Sequence, residues 1–155
     1  MMFMKKQKFI THSVEETHAL AAKLTKKFKG GQIVLLNGNL GAGKTHFAQG
    51  VAQALGIKKN ITSPTFTLMN IYKIPLKLAK KNSNIKNLAH IDLYRLKTAK
   101  EAFDIGIMDY LGEPSTLTLI EWPNKIKKML TKNFASVDIT IKANQKARRI
   151  LSITF

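Results

Sequence analysis

A glycine-rich segment from Gly38 to Thr45 has the residue types and the spacing that bind nucleotide phosphates. Its sequence, Gly-Asn-Leu-Gly-Ala-Gly-Lys-Thr, matches the pattern G-x-x-x-x-G-K-[ST] at every fixed position. In this pattern small residues let backbone N–H groups surround phosphate oxygens, the lysine reaches the β- and γ-phosphates, and the last hydroxyl ligates Mg²⁺. The segment therefore predicts a nucleoside triphosphate site in which Lys44 contacts phosphate and Thr45 ligates the metal.

Two acidic residues, Asp92 and Glu121, each come directly after a short, mostly apolar run. A phosphate-loop enzyme needs a further carboxylate on the metal side, at the end of a strand. Both residues are therefore candidates, and the alternative for each alone is a helix cap or a turn acid. Thr65 follows the extended Ser63-Pro64 pair and is a candidate for a mobile segment that senses the γ-phosphate. Its alternative is an ordinary strand threonine.

The sequence lacks the residues that several other classes of protein need. The chain has no cysteine, which excludes a disulfide scaffold, a Cys-ligated zinc site and a thiol nucleophile. The segment Asn124–Lys127 begins like the guanine-binding Asn-Lys-x-Asp element but ends in lysine, so guanine selectivity has no support. The histidines lack the paired spacing of a metal site and are interpreted as surface or core residues: His12, His18, His46 and His90.

The elements that must position these residues alternate between helix and strand. Ser13 and Glu16 have the spacing of a capping box at the start of a helix, which Gly30-Gly31 ends. The apolar run Ile33–Leu36 is typical of a buried parallel strand, and a helical stripe follows from Thr45 to Leu55. The phosphate loop thus joins a strand to a helix, and this context disfavours a glycine-rich turn that binds nothing.

The remaining predicted elements complete an α/β fold. They are a strand at Thr65–Leu68, a surface loop at Lys77–Asn87, a strand at Leu88–Asp92, one or two short helices within Thr98–Leu111, a strand at Leu117–Glu121, a helix from Pro123 to Leu130, and a hairpin of strands Val137–Ile141 and Ile150–Phe155 around Asn144-Gln145. Strands that alternate with helices predict a mostly parallel central sheet flanked by helices, with ligands at the carboxyl ends of its strands. We therefore expect a P-loop NTPase fold with a C-terminal β-hairpin, in a single domain over residues 1–155.

The chain is strongly basic, with 26 basic and 9 acidic residues and a formal net charge of +17. Such a surplus is typical of proteins with a nucleic-acid partner. However, only three of the basic residues are arginine, the residue that phosphate-reading surfaces favour, and the lysines are spread along the chain. We therefore favour a compositional bias and leave contact with a nucleic acid open. The sequence has neither a membrane-spanning run nor a signal-peptide pattern, so we expect a cytoplasmic protein with no membrane partner.

Five further features of the sequence are the segments Asn39–Thr45, Ser63–Leu68, His90–Leu96, Gly106–Tyr110 and Leu119–Pro123. In their order and spacing these segments together resemble the bacterial TsaE (YjeE) family. The phosphate loop alone is generic, whereas the set of Ser-Pro-Thr-Phe-Thr, Asp-Leu-Tyr-Arg and Glu-Trp-Pro is specific. The resemblance is strong from Ser13 to Pro123 and looser in the terminal hairpin.

The resemblance implies a small, slow ATPase that uses ATP and Mg²⁺. The family works with TsaB and TsaD to install a threonylcarbamoyl group on the tRNA adenosine beside the anticodon. A protein of this type binds the TsaB–TsaD complex and hydrolyses ATP to support its turnover, without transferring the group itself. We expect it to be a monomer when alone.

The family's functional residues map onto the segments that match. By this resemblance Lys44, Asp92 and Glu121 are catalytic, and Thr45, Glu121 and Asp92 hold the metal or its water. The nucleotide would contact the phosphate loop, the segment around Thr65 that senses the γ-phosphate (the switch-like segment) and the neighbouring tryptophan. The residues are Leu40, Gly41, Ala42, Gly43, Lys44, Thr45, Thr65 and Trp122.

The chain departs from the family at His46, at Ile71 and in a longer loop between Tyr72 and His90. Two other functions stay open. One is a small-molecule kinase that uses the same loop, although three arginines leave little for its lid. The other is a basic RNA-binding module.

Overall fold

Strand β2 (Ile33–Asn37) lies in the middle of the sheet, and its first four residues are fully buried. In the computed structural model, which describes residues 5–79, 84–144 and 148–155, it pairs in parallel with β5 (Thr116–Glu121) and β6 (Ser136–Ala143). A continuous apolar run suits this place because helices cover both faces of the sheet. The predicted buried parallel strand is confirmed.

The sheet is parallel in its centre and antiparallel at both sides. Its other strands are β1 (Lys6–Thr11), β3 (Met69–Lys73), β4 (Asn87–Asp92) and β7 (Arg149–Thr154), in the order β1-β7-β6-β2-β5-β4-β3. The four central strands, β6, β2, β5 and β4, are parallel, whereas β3, β7 and β1 join antiparallel. The α/β fold is confirmed, and the parallel pairing applies to these four strands. The C-terminal hairpin of β6 and β7 is also confirmed.

Helices pack on both faces of the sheet. One face is covered by α1 (Val14–Thr25) and α2 (Lys44–Ala54), which form a core with Val34 and Leu36. The opposite face carries α4 (Ala99–Asp104), a 3₁₀ turn at Ile107–Asp109 and α5 (Lys127–Asn133), around Ile33 and Leu35. Alternate residues of β2 thus anchor opposite layers. Within the described ranges, none of the helices is both long and apolar enough to cross a bilayer.

Helix α1 begins with the predicted Ser13 cap, whereas the Glu16 side chain accepts from His12, one residue before the N-cap. The Glu16 N–H donates to Ser13 Oγ at 3.0 Å, and the Glu16 carboxylate accepts the His12 N–H at 2.8 Å. The helix ends at Thr25, earlier than the predicted Gly30-Gly31, because the chain tightens into turns in which Phe28 N–H donates to the Thr25 carbonyl. Phe28 remains buried although it lies beyond the helix.

The segment Thr65–Leu68, which the sequence predicts as a strand, has a different structure. Residues 65–67 form a turn, and β3 begins only at Met69, where the chain pairs with Ile91 of β4. The turn forms because Leu68 adopts φ = 65° and donates its N–H to the Pro64 carbonyl. The predicted strand at Thr65–Leu68 is therefore wrong.

The predicted loop at Lys77–Asn87 and the helix from Pro123 also need correction. The start of the predicted loop belongs to a short helix, α3 (Leu76–Ala79). Residues 80–83 of the predicted loop lie outside the described residues. Pro123 opens a turn closed by the Ile126 N–H, so α5 begins at Lys127. Gln145, predicted in the hairpin turn, lies outside the described residues.

Gly50 lets α2, which follows the phosphate loop, pack closely against α1. A Cβ atom at this position would lie 2.7 Å from Ala21 Cβ and 2.8 Å from His18 Cα. Alanine gains about 1 kcal/mol in helix propensity over glycine. Overpacking against backbone costs about 1–3 kcal/mol, so the clash outweighs the gain.

We therefore expect Gly50→Ala to lower the free energy of unfolding, measured by urea denaturation. The exposed Gln53→Ala on the same helix is the matched control and should change it by less than about 0.5 kcal/mol. A gain in stability for Gly50→Ala would contradict the close packing of α1 and α2.

Candidate functional site

The carboxyl ends of three parallel strands meet beside the phosphate loop. Leu36 of β2 is in register with Glu121 of β5, and Glu121 is in register with Asp92 of β4. Both carboxylate side chains lie in the last position of their strand, and each residue is only 2% exposed. The parallel register therefore brings together two acids that are 29 residues apart in the chain.

The phosphate loop is shaped by glycines at two close approaches. Gly38 has φ = 151°, and a Cβ there would lie 2.5 Å from the Ile141 carbonyl oxygen of β6. Gly43 has φ = 107° and is the N-cap of α2, which has no side-chain cap. The first N–H groups of α2 therefore point toward the loop with no capping side chain on them, which is the arrangement that binds anions.

Lys44 lies with its ammonium inside the loop. Its Nζ donates to the carbonyl oxygens of Gly38 at 2.6 Å and Asn39 at 2.9 Å, and lies 4.2 Å from the centre of the Trp122 ring. Burial lowers the pKa of Lys44 from its ordinary value, and the carboxylates of Glu121 and Asp92 partly oppose this. A partly desolvated cation of this kind interacts strongly with a phosphate.

Glu121 and Thr45 present neighbouring oxygen atoms. The Thr45 hydroxyl donates to Glu121 Oε1 at 3.1 Å, and His90 Nε2 lies 2.8 Å from the same oxygen. His90 is fully buried. In the described part of the chain no group of three or more His, Asp or Glu residues could by itself hold a metal. A hydroxyl and a carboxylate nevertheless fit Mg²⁺, which takes few protein ligands and completes its shell with water and phosphate.

Asp92 connects the site to the segment that begins at Ser63. The Thr65 hydroxyl donates to Asp92 Oδ2 at 2.8 Å, and the Ser63 hydroxyl donates to it at 3.2 Å. The other oxygen, Oδ1, accepts the Tyr94 N–H at 2.8 Å. Thr65 is therefore brought to the site through its contact with Asp92.

Trp122 forms one wall of the site. It has φ = 57°, donates its N–H to the Leu36 carbonyl at 3.3 Å, and its ring centre lies 4.9 Å from that of Tyr94. The unusual backbone turns the ring from the end of β5 toward Lys44. Leu40, at the tip of the loop, is 76% exposed.

A cavity of about 340 Å³ lies among these groups. Of the residues predicted from sequence, those that line it are Leu40, Gly41, Gly43, Lys44, Thr45, Thr65, Asp92, Glu121 and Trp122. Ala42 does not line this cavity. It lines a second cavity, of about 620 Å³, which also borders the phosphate loop.

Five residues of the site were not predicted from sequence. Four of them line the cavity, namely His46, Ser63, Tyr94 and Arg149, and the fifth, His90, contacts Glu121. His90 was interpreted only as a surface or core residue. Its position two residues before Asp92 was a usable signal, because alternate residues of a strand share a face. Arg149 lies 105 residues after Lys44, and no local pattern connects the two.

Comparison with known proteins agrees with the motifs. The model of the family described as threonylcarbamoyl adenosine biosynthesis protein TsaE matches residues 11–151. This chain belongs to the TsaE family. The resemblance to the TsaE family that the sequence motifs indicate is therefore confirmed.

Two TsaE relatives carry the name tRNA threonylcarbamoyladenosine biosynthesis protein TsaE. The protein from Rickettsia typhi is 40% identical over 143 residues, which are 92% of this chain and 90% of the relative. The protein from Bacillus subtilis is 39% identical over 128 residues, or 82% of this chain and 73% of the relative. The crystal structure of YdiB from Bacillus subtilis matches with a TM-score of 0.75 and 29% identity, covering 99% of this chain and 88% of YdiB.

The buried contact between His90 and Glu121 predicts an energetic coupling. His90→Phe retains a ring of similar size but removes the hydrogen bond, and we expect it to lower the free energy of unfolding by about 1–3 kcal/mol. In a Glu121→Gln background the same change should cost less, with a coupling of at least about 0.5 kcal/mol. Urea denaturation of both single variants and the double variant measures this coupling. Strictly additive effects would contradict the contact.

Proposed function

We propose that this protein is a Mg²⁺-dependent ATPase of the machinery that makes tRNA threonylcarbamoyladenosine. In this proposal it binds the TsaB–TsaD complex and hydrolyses ATP to support its turnover. The observation that carries the proposal is the placement of Lys44 and the uncapped start of α2 beside the Thr45–Glu121 oxygen pair, in a chain of the TsaE family.

Lys44 is placed to exchange its partners when phosphate arrives. It now donates to two neutral carbonyl oxygens of the loop. Charge-assisted contacts to phosphate oxygens are stronger than those to neutral acceptors. In the proposed complex the Lys44 ammonium moves to the β- and γ-phosphates, and the N–H groups at the start of α2 donate to phosphate as well.

The metal site would be built from Thr45 and Glu121, with Asp92 in contact through water. Bound Mg²⁺ would supply charge neutralisation at the β- and γ-phosphate oxygens. His90 holds the Glu121 carboxylate in place through its contact at 2.8 Å. The reaction is attack of water on the γ-phosphate, and Lys44 with the loop amides stabilises the charge that develops. No general base is assigned.

Asp92 connects the nucleotide site to the switch-like segment around Thr65. One carboxylate oxygen holds both the Ser63 and the Thr65 hydroxyls. Movement of that oxygen away from the two hydroxyls would free the turn at residues 65–67. We therefore propose that the state of the nucleotide changes the turn at residues 65–67, and that this change reaches the TsaB–TsaD complex. Contact with tRNA, a monomeric state when alone and a cytoplasmic location stay predictions.

Replacement of Lys44 tests the proposed chemistry. Steady-state ADP release should be slow for the protein with ATP and Mg²⁺, and should rise when the cognate TsaB–TsaD pair is added. Lys44→Ala should lower the rate by about 10²–10³-fold in both conditions, because a preorganised donor to the developing charge is lost. Lys128→Ala, an exposed lysine on α5, is the matched control and should leave the rate unchanged.

Full activity of Lys44→Ala would contradict the site assignment. A rate of ADP release that does not change when the TsaB–TsaD pair is added, together with a phosphorylated small-molecule acceptor, would indicate the kinase instead. Tight RNA binding without nucleotide or hydrolysis would indicate the basic RNA-binding module.

A further inference from the structure

Arg149 is brought to the phosphate loop from the far end of the chain. It is the first residue of β7, which the hairpin with β6 places two strands away from β2. A Cβ atom at Gly43 would lie 2.7 Å from Arg149 Nε and 3.0 Å from its Cδ. The arginine side chain therefore lies directly beside the N-cap of α2, and it lines the 340 Å³ cavity.

The Arg149 guanidinium has no acidic partner within the described residues. The ion pairs found there involve other cations, namely His90, Lys100 and Lys127. The Nε atoms of Arg148 and Arg149 are both buried without a hydrogen-bond partner in the described structure, but of the two arginines only Arg149 lines the cavity. Because arginine remains charged in proteins, a buried and unpaired donor of this kind is costly.

The surroundings of Arg149 are already positive. The loop contains the Lys44 ammonium, and the N-terminus of α2 adds the favourable end of the helix dipole for an anion. Asp92 and Glu121 line the same cavity, but neither forms an ion pair with Arg149 in the described structure, so the arginine has no anionic partner there. A phosphate group at the start of α2 would give Arg149, Lys44 and the helix N-terminus a shared anionic partner.

We propose that Arg149 is a phosphate-binding residue of the nucleotide site, and this rests on the proposed ATP site. Its guanidinium donates to a non-bridging phosphate oxygen from the β6–β7 side of β2. Thr45 and Glu121 approach from the opposite, β5 side. The phosphates are thus held between an arginine side and a metal side. Glycine at position 43 leaves the space that the arginine stem needs.

Two probes separate a phosphate contact from a contact to the base. Equilibrium binding of ATP with Mg²⁺ is measured for the full chain, and inorganic triphosphate is used as a competitor that lacks base and ribose. We expect Arg149→Ala to raise the Kd of both probes by about 10- to 100-fold, the factor typical of a lost charge-assisted hydrogen bond. Arg149→Lys should recover part of this loss.

Arg148→Ala is the matched control, because Arg148 precedes Arg149 in the same hairpin but does not line the cavity. It should change either Kd by less than about threefold. If Arg149→Ala does not fold, Arg149→Gln retains the aliphatic stem and replaces it in the comparison, with circular dichroism to verify folding.

The outcomes distinguish this inference from the proposed function. If the unaltered protein binds neither probe, the proposed ATP site itself fails. If it binds both and Arg149→Ala behaves like Arg148→Ala, the role of Arg149 is overturned. A loss confined to ATP, with triphosphate unaffected, also overturns the phosphate contact, because the arginine would then act on the base or the ribose.

Discussion

The parallel register of β2, β5 and β4 is the constraint on which the site depends. It places Leu36, Glu121 and Asp92 in one row at the carboxyl ends of adjacent strands. Lys44 donates to a carbonyl oxygen of the phosphate loop that follows β2, and the two acids line the same cavity. A shift of one residue in either pairing would turn a carboxylate to the other face of the sheet, because strand side chains alternate. The register is fixed by apolar cores on both faces.

The two carboxylates have different contacts and therefore different roles in this account. Glu121 contacts Thr45 and the buried His90, so it belongs to the buried centre of the site. Asp92 holds the hydroxyls of Ser63 and Thr65, so it belongs to the boundary between the site and the surface. The Phe66 side chain, next to Thr65, is 85% exposed. A movement of the turn at residues 65–67 would therefore change the position of this ring on the surface that a partner can contact.

The sequence was most informative where a single local segment carries the chemistry. The phosphate loop, the strand before it and the acids at the ends of β4 and β5 were all predicted, because each follows from a contiguous pattern. The strand predicted at Thr65–Leu68 was wrong, because hydrogen bonds to Asp92 and a positive φ at Leu68 override strand propensity. Arg149 was missed because only the antiparallel hairpin brings it to the loop.

A crystal structure with Mg²⁺ and a non-hydrolysable ATP analogue would show directly whether Lys44 and Thr45 contact the phosphates and the metal. We expect Lys44 Nζ to leave the Gly38 and Asn39 carbonyl oxygens for the β- and γ-phosphates. We also expect Mg²⁺ at about 2.0–2.1 Å from Thr45 Oγ1, with Glu121 as its direct or water-bridged partner. A nucleotide bound elsewhere, with Lys44 still on the loop carbonyls and no metal beside Thr45, would contradict both expectations.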